Sequence, residues 1–345
     1  MKGKGETLMA KVGIIANPIS ARDIRRVISH AGNLPINDRA NIVLRMLASL
    51  AATGVEEVLM MPENGGIRFH LMRSIDREER LGHSVFPRIR YLDMEVTATA
   101  EDSARAARMM CEQGVAALVV LGGDGTNRVV VQNCGDTPVA GVSTGTNNAF
   151  PELREPTITG LAVGLAVTGQ VAPERALVRN KWLHVDINDR REIALVDVAV
   201  VQDRFVGARA IWKTDGFRDL FVTFGLPQAI GMSSIAGLCD PLDRNTPEGR
   251  HIRLSPDAPR QLLAPIAPGL IDRVGIASVE RMAPEQLFHP AIPAGSLAFD
   301  GERELTFTES DDVTVQIVPN AFRTSDVPAC MAHAASAGLF IRNPD

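Results

Sequence analysis

The chain has 345 residues, with 41 acidic and 36 basic side chains and a formal net charge of −5. That length accommodates two domains and a sizeable core, and the mildly negative balance gives nucleic acid no electrostatic claim as the main partner. No apolar run approaches a membrane span, residues 1–10 lack the apolar segment of a secretory signal, and the scattered Cys111, Cys134, Cys239 and Cys330 form no C-x-x-C pair or zinc spacing, so a reducing, cytoplasmic compartment is expected with the cysteines as small buried hydrophobes.

In chain order, the first half alternates between strand-like and helix-like segments. Residues 11–17 read as a strand closed by Pro18. Residues 41–52 repeat apolar side chains at helical spacing through Ile42, Val43, Met46, Leu47 and Leu50. Residues 55–61 predict a strand, 67–75 a helix, 89–92 a short strand and 100–113 an alanine-rich helix. Residues 118–121 and 139–142 are two more strands, the first apolar on both faces and so fully buried. Strands alternating with helices imply a mostly parallel sheet that binds ligands at its carboxyl ends.

The texture changes near residue 153. After a connecting helix at 158–167 come strand-like runs at 182–187, 192–201, 206–212, 271–279, 296–299, 305–308 and 313–318. Asn188-Asp189 marks a hairpin inside the first two. One helix is expected around 226–238, and prolines and glycines punctuate 241–268. The expected architecture is α/β plus all-β: a mostly parallel α/β domain over residues 1–152 and a β-sandwich domain over 153–319, with a short helical tail within 320–345 returning to the first.

The most informative loop is Gly122-Gly123-Asp124-Gly125-Thr126, which follows the buried strand and opens a helix from Asn127. Three glycines in four positions let the backbone turn sharply and let a ligand approach. The helix start offers free N–H groups and the positive dipole end, a seat for phosphate. A carboxylate there repels phosphate unless a cation intervenes or unless it has chemical work, such as taking a proton from a hydroxyl that attacks the terminal phosphate of ATP. The structural alternative is a turn with Asp124 as a helix cap. The loop is not a dinucleotide fingerprint, since its third glycine would fall at Arg128, and no Gly-Lys-Ser/Thr follows to make a Walker loop.

Four other segments stand out. Asn17 ends the first strand before Pro18 and offers an amide to a base or ribose; Arg22, Arg25 and Arg26 follow, as phosphate partners or as a solvated helix face. Ser143-Thr144-Gly145-Thr146-Asn147-Asn148 clusters hydroxyls and amides after the next strand, for ribose and phosphate oxygens or as a capping turn. Asp300-Gly301-Glu302 is either a hairpin turn or an acidic site for magnesium. Residues 231–237, rich in Gly and Ser, either line an acceptor pocket or pack closely.

Gly-Gly-Asp-Gly-Thr at 122–126 followed by Thr-Gly-Thr-Asn-Asn at 144–148 resembles the ATP-dependent kinase superfamily of NAD kinases, diacylglycerol kinases and sphingosine kinases. Ile14-Ile15-Ala16-Asn17-Pro18, Gly-Gly-Asp-Gly-Thr-Asn-Arg, Ser-Thr-Gly-Thr-Asn-Asn-Ala-Phe-Pro and the 205–212 string Phe-Val-Gly-Ala-Arg-Ala-Ile-Trp are most similar to the ATP-NAD kinase-like family of acetoin-catabolism protein X type. The resemblance implies a two-domain kinase with its active site in the cleft. It makes Asp124 the base or the organiser of metal-bound phosphates. It gives nucleotide contacts to Asn17, to Gly122, Gly123, Gly125 and Thr126, and to Thr144, Gly145, Thr146, Asn147 and Asn148. It makes Asp300 and Glu302 metal-site candidates, matching the Asp-Gly-Glu of lipid kinases. Two departures matter: no clear copy of the NAD kinase Asn-Glu pair or its Gly-Ser-Thr-Ala-Tyr loop is present, and the Glu that lipid kinases carry three residues after the Thr is absent.

The expected function is phosphoryl transfer from ATP, with Mg2+, to a hydroxyl of NAD or a related small metabolite. A lipid or other alcohol kinase and a non-catalytic nucleotide sensor are the alternatives. The expected partner is that small hydroxyl acceptor, with no nucleic acid and no membrane span; assembly into a homo-oligomer is left open.

Overall fold

The computed structural model describes residues 10–18, 34–83, 85–145, 148–202 and 216–341. Arg22, Arg25 and Arg26, the loop residues Thr146 and Asn147, and the strand expected at 206–212 lie outside the described residues.

The first half follows the expected alternation: β1 (Lys11–Ala16), α1 (Ile36–Ala52), β2 (Glu57–Met60), α2 (Ile67–Leu81), β3 (Arg88–Tyr91), α3 (Ala100–Glu112), β4 (Ala117–Gly122), α4 (Asp124–Val131) and β5 (Val139–Ser143). The second half holds α5 (Pro156–Val167), α6 (Pro173–Ala176), β6 (Leu177–Ile187), β7 (Arg190–Ala194), β8 (Asp197–Val201), β9 (Phe217–Val222) and α7 (Ser233–Cys239). It continues with β10 (Gly249–Leu254), β11 (Arg260–Ala267), β12 (Leu270–Met282), β13 (Gly295–Phe299), β14 (Glu302–Phe307), β15 (Val313–Ser325) and α8 (Val327–Ser336). Among the described residues no helix is long and apolar enough to cross a membrane.

Two sheets result. The first has eight strands in the order β3-β2-β1-β4-β5-β15-β6-β7. Its first five strands are parallel. Because side chains alternate across a strand, Ala117, Val119 and Leu121 join α1, α2 and α5 in one core, while Leu118 and Val120 join α3 and α4 in another. Burial on both faces accounts for the unbroken apolar run of β4.

The remaining three strands extend this sheet as an antiparallel ribbon. β15 touches β5 through one parallel pair, Thr324↔Val139, and then runs antiparallel to β6. The second sheet, β11-β12-β10-β9-β8-β13-β14, is antiparallel throughout. One of its faces packs on the ribbon: Val198, Val200, Phe221, Leu297 and Phe299 meet Leu183, Val185, Val315 and Ile317. Its other face is covered by Met232, Ile235 and Ala236 at α7. The fold is thus a mixed, mostly parallel α/β sheet plus an antiparallel all-β sheet. Strands from residues 177–194 and 313–325 belong to the first sheet. The helical tail α8 packs against α5 and α6 through Val327, Cys330 and Ala334.

Several local expectations need correction. The strand expected at 192–201 is two strands in different sheets, broken where the Asp300 carboxylate accepts the backbone N–H of Leu195, Val196 and Asp197. The helix expected at 226–238 is confined to α7, since Pro227 lacks an N–H and Gly231 turns left-handed at φ +95°. α4 begins at Asp124 itself rather than Asn127. The strands β9, β10 and β11 fill stretches that showed no strand pattern.

Candidate functional site

The strand order places β1 and β4 side by side, with β2 and β3 on one flank and β5 on the other. The helices that follow β1 and β4, α1 and α4, pack on opposite faces of the sheet, the arrangement in which α/β sheets bind ligands beyond the carboxyl ends of their strands. Asn17 follows β1 there. It is buried; its Nδ2 donates to Ser103 Oγ at 3.2 Å, and its carbonyl accepts from Arg39 Nη1 at 3.2 Å. Beside it lies a cavity of about 310 Å3 bounded by Pro18, Ile36, Met61, Glu63 and Asp102. Glu63 accepts from the amides of Gly65 and Arg68 at the start of α2. Burial works against the Asp102 carboxylate, but hydrogen bonds from Thr97 and Ala98 hold it below the ordinary carboxylate range.

The two glycine loops meet at the next strands. Gly122 of β4 pairs in register with Ser143 of β5. Asp124 then ties the loops together: Oδ1 accepts the amide of Phe150 at 2.8 Å and that of Ala149 at 3.2 Å, and Oδ2 accepts Ala149 at 3.0 Å. Asn148 Nδ2 donates to Ser143 Oγ at 2.8 Å, and that hydroxyl donates to Gly145 O at 2.9 Å. Two of the glycines sit in close contact. A Cβ on Gly123 would sit 2.7 Å from Asn148 Oδ1, and one on Gly122 would sit 2.6 Å from Thr126 Cβ. Gly125 faces open space. Thr144 Oγ1 is buried with no hydrogen-bond partner among the described residues, and so is Asn127 Oδ1.

Sequence reasoning treated Asp124 either as a carboxylate facing phosphate or as a cap. The structure uses it as an anchor between loops 25 and 26 residues apart in sequence. It also missed Arg244. This side chain lies in the loop between α7 and β10, where nothing but a lone arginine near Pro241 and Pro247 marks it. Its Nη1 donates to Phe150 O at 3.0 Å and its Nη2 donates to Ala149 O. The guanidinium lies 4.1 Å from the Phe224 ring centroid. Burial pulls the Arg244 guanidinium below its ordinary range, against the carboxylates of Glu152, Asp124 and Asp243.

The Asp300-Gly301-Glu302 segment is a hairpin. β13 and β14 pair through Phe299↔Glu302, and both turn residues are left-handed, Asp300 at φ +49° and Gly301 at φ +84°. Its tip does not point to water. The Asp300 side chain is 0% exposed; it accepts the three amides of residues 195–197 and faces Arg128 Nε of α4 at 3.6 Å. Burial pushes its carboxyl above the ordinary value, against the pull of Arg128 and the three amides. A magnesium ion held directly by Asp300 does not fit this arrangement, because that carboxylate is enclosed by donors and faces a guanidinium. Among the described residues no group of three His, Cys, Asp or Glu side chains could hold a metal. The small residues of 231–237 serve packing: a Cβ on Gly237 would meet Leu226 O at 2.3 Å, and one on Gly225 would meet Gly237 N at 2.7 Å.

Two family descriptions match this chain. Residues 12–168 match the ATP-NAD kinase N-terminal domain, and residues 181–320 match the acetoin catabolism protein X C-terminal domain. A curated relative, "Acetoin catabolism protein X" of Cupriavidus necator, is 51% identical over 339 residues, covering 96% of this chain and 94% of the relative. A mostly parallel α/β sheet followed by an antiparallel sheet is consistent with these matches, and the chain belongs to the ATP-NAD kinase-like family of acetoin catabolism protein X type.

Proposed function

We propose that this chain is a cytoplasmic ATP-dependent phosphotransferase with an alcohol group as acceptor. The observation that carries the reading is the junction of the two glycine loops: Gly122 in register with Ser143, and Asp124 bonded to Ala149 and Phe150. In this reading the triphosphate lies over Gly122, Gly123, Gly125 and Thr126 at the start of α4, whose amides and dipole favour anions. The base and ribose extend toward Asn17 and the adjoining cavity. The buried Thr144 hydroxyl, with Gly145, Thr146, Asn147 and Asn148, donates to ribose or phosphate oxygens. Asp124 accepts the proton of the attacking hydroxyl, which lies in the cleft between the portions before and after residue 153. Catalysis of this kind rests on positioning and charge more than on covalent chemistry. Magnesium, where it accompanies ATP, is assigned to phosphate oxygens and water rather than to Asp300.

The acceptor is NAD or a related small hydroxyl metabolite. The relative's name also brings acetoin, itself a hydroxyketone, into the range to be tested. One observation favours a second reading, a nucleotide-binding protein without turnover: Asp124 already accepts backbone amides at both oxygens. A coupled assay of ATP with NAD, nicotinamide mononucleotide, small polyols and acetoin separates the two. Acceptor-dependent ADP release supports transfer; saturable ATP binding with no release for any acceptor supports the sensor.

A further inference from the structure

The peptide unit joining Ala149 to Phe150 is held at both ends. Its N–H donates to Asp124 Oδ1 at 2.8 Å, and its C=O accepts from Arg244 Nη2. The same guanidinium reaches the next carbonyl, Phe150 O, at 3.0 Å. A planar fork can bridge two successive carbonyls in this way; an ammonium cannot do so with the same geometry. Charge at the carbonyl end polarises the amide and strengthens its N–H as a donor, because hydrogen bonds in series reinforce one another. Arg244 and Asp124 are therefore an ion pair bridged by one peptide.

Arg244 is itself held. Its loop wraps around Lys181 of β6, a side chain only 5% exposed. Lys181 Nζ donates to the carbonyls of Asp243, Thr246 and Glu248 at 3.2, 2.5 and 2.7 Å, and to Thr246 Oγ1 at 3.2 Å. Phe224 stacks under the guanidinium from the end of β9. Lys181 and Phe224 thus hold the Arg244 loop and guanidinium, and Arg244 in turn holds the 149–150 peptide.

We propose that Arg244 is a positioning residue of the phosphoryl-transfer site, fixing the Asp124 carboxylate through the 149–150 peptide, with Lys181 fixing Arg244. The catalytic consequence rests on the phosphotransferase reading; the bridge itself does not. Removing Arg244 leaves two carbonyls without their donor and lets the loop carrying the Asp124 contacts relax. The acceptor hydroxyl then meets a misaimed base while nucleotide contacts at Gly122–Thr126 remain.

The test uses the full chain labelled with 13C-carbonyl Ala and 15N-Phe. Only three Ala-Phe pairs occur, at 149–150, 298–299 and 321–322, so Phe150 is read directly; Phe322 packs on the Phe150 ring, and Phe299, in a separate core, is the internal control. In Arg244→Met, and equally in Asp124→Asn, the Phe150 amide proton is expected to move upfield while Phe299 stays. Lys181→Met, which touches neither partner, is expected to move the same signal and serves if Arg244→Met does not fold. With an acceptor in hand, Arg244→Met lowers kcat by about tenfold or more with KM for ATP changed by less than about twofold. Arg244→Lys falls between, and added guanidinium ion restores part of the rate of Arg244→Met. An unmoved Phe150 amide in both Arg244→Met and Lys181→Met overturns the proposal, as does a rate loss that appears equally in KM for ATP. If wild-type protein phosphorylates nothing, the functional reading fails alone, and the amide signal still decides the bridge.

Discussion

Replacing Asp300 should damage the fold rather than metal affinity. Its carboxylate is fully enclosed, accepts three amides and faces the 7% exposed Arg128 at 3.6 Å. Asp300→Asn keeps the left-handed turn, which Asn tolerates, and keeps one oxygen for the 2.8 Å bond from Val196. It removes the negative charge that faces Arg128 Nε at 3.6 Å. Removing one partner of a buried pair costs about 3–5 kcal/mol, and the retained hydrogen bond recovers about 1 kcal/mol, so a loss of about 2–4 kcal/mol is expected. Asp300→Ala adds about 1 kcal/mol for each stranded amide and loses the short polar side chain whose local hydrogen bonding eases the left-handed turn at φ +49°. That total rivals the whole stability of a domain, about 5–15 kcal/mol, and this variant should not fold stably. Arg128→Met with Asp300→Asn should cost about 2 kcal/mol less than the two singles summed, since the pair is lost only once. Urea unfolding followed by circular dichroism measures wild type, Asp300→Asn, Arg128→Met and the double variant. An Asp300→Asn variant within about 1 kcal/mol of wild type, or strict additivity with Arg128→Met, would refute the enclosed-pair account. A metal-holding Asp300 would instead leave stability in metal-free buffer unchanged and weaken magnesium dependence.

Three further outcomes are expected. Gly123→Ala forces Asn148 Oδ1 away from a Cβ 2.7 Å distant, and titration with a fluorescent ATP analogue should show affinity reduced about tenfold or more; wild-type affinity would remove Asn148 from the phosphate loop. Burial pushes the Cys134 thiol up to about 12, so at pH 8 only about one part in 10,000 is thiolate, and Cys134 should resist alkylation in folded protein but react after unfolding; rapid labelling of the native chain contradicts its burial. Burial pushes the Lys181 ammonium down to about 8 from 10.5, against the pull of Glu248 and Asp243. The unfolded chain therefore binds more protons than the folded one between pH 8 and 10.5, and stability should rise with pH across that window relative to Lys181→Met; parallel pH profiles would exclude the shift.

How much of this was legible depended on where polar side chains sit. The parallel strands could be read because runs such as Leu118–Leu121 are apolar on both faces and end in glycine or proline. β9 and β10 could not, because they carry Asp219 and His251, buried polar residues whose 2.8 Å contact with each other, and the Ala291 amide donated to Asp219, come from distant parts of the chain. α2 reads as ending at Ile75 but runs to Leu81, because its last turns are a solvated charged segment closed by the left-handed Gly82 at φ +66°. Both glycine loops were found from local composition. Their joining by Asp124 and Arg244 was not, since those contacts span 25 to 95 residues and no local pattern encodes them. The Asp-Gly turn at 300–301 reads from its residues as either a hairpin or an acidic magnesium site; that its tip turns inward onto Arg128 depends on the packing of β13 against the ribbon.

The central claim is that the joined glycine loops transfer phosphate from ATP. Incubating wild-type chain and Asp124→Asn with γ-labelled ATP, magnesium and the hydroxyl panel tests it directly. The account predicts a labelled phosphate ester from wild type with at least one small hydroxyl metabolite, reduced by about two to four orders of magnitude in a folded Asp124→Asn variant. No labelled product from the wild-type chain with any acceptor, or equal product from a folded Asp124→Asn variant, would contradict it.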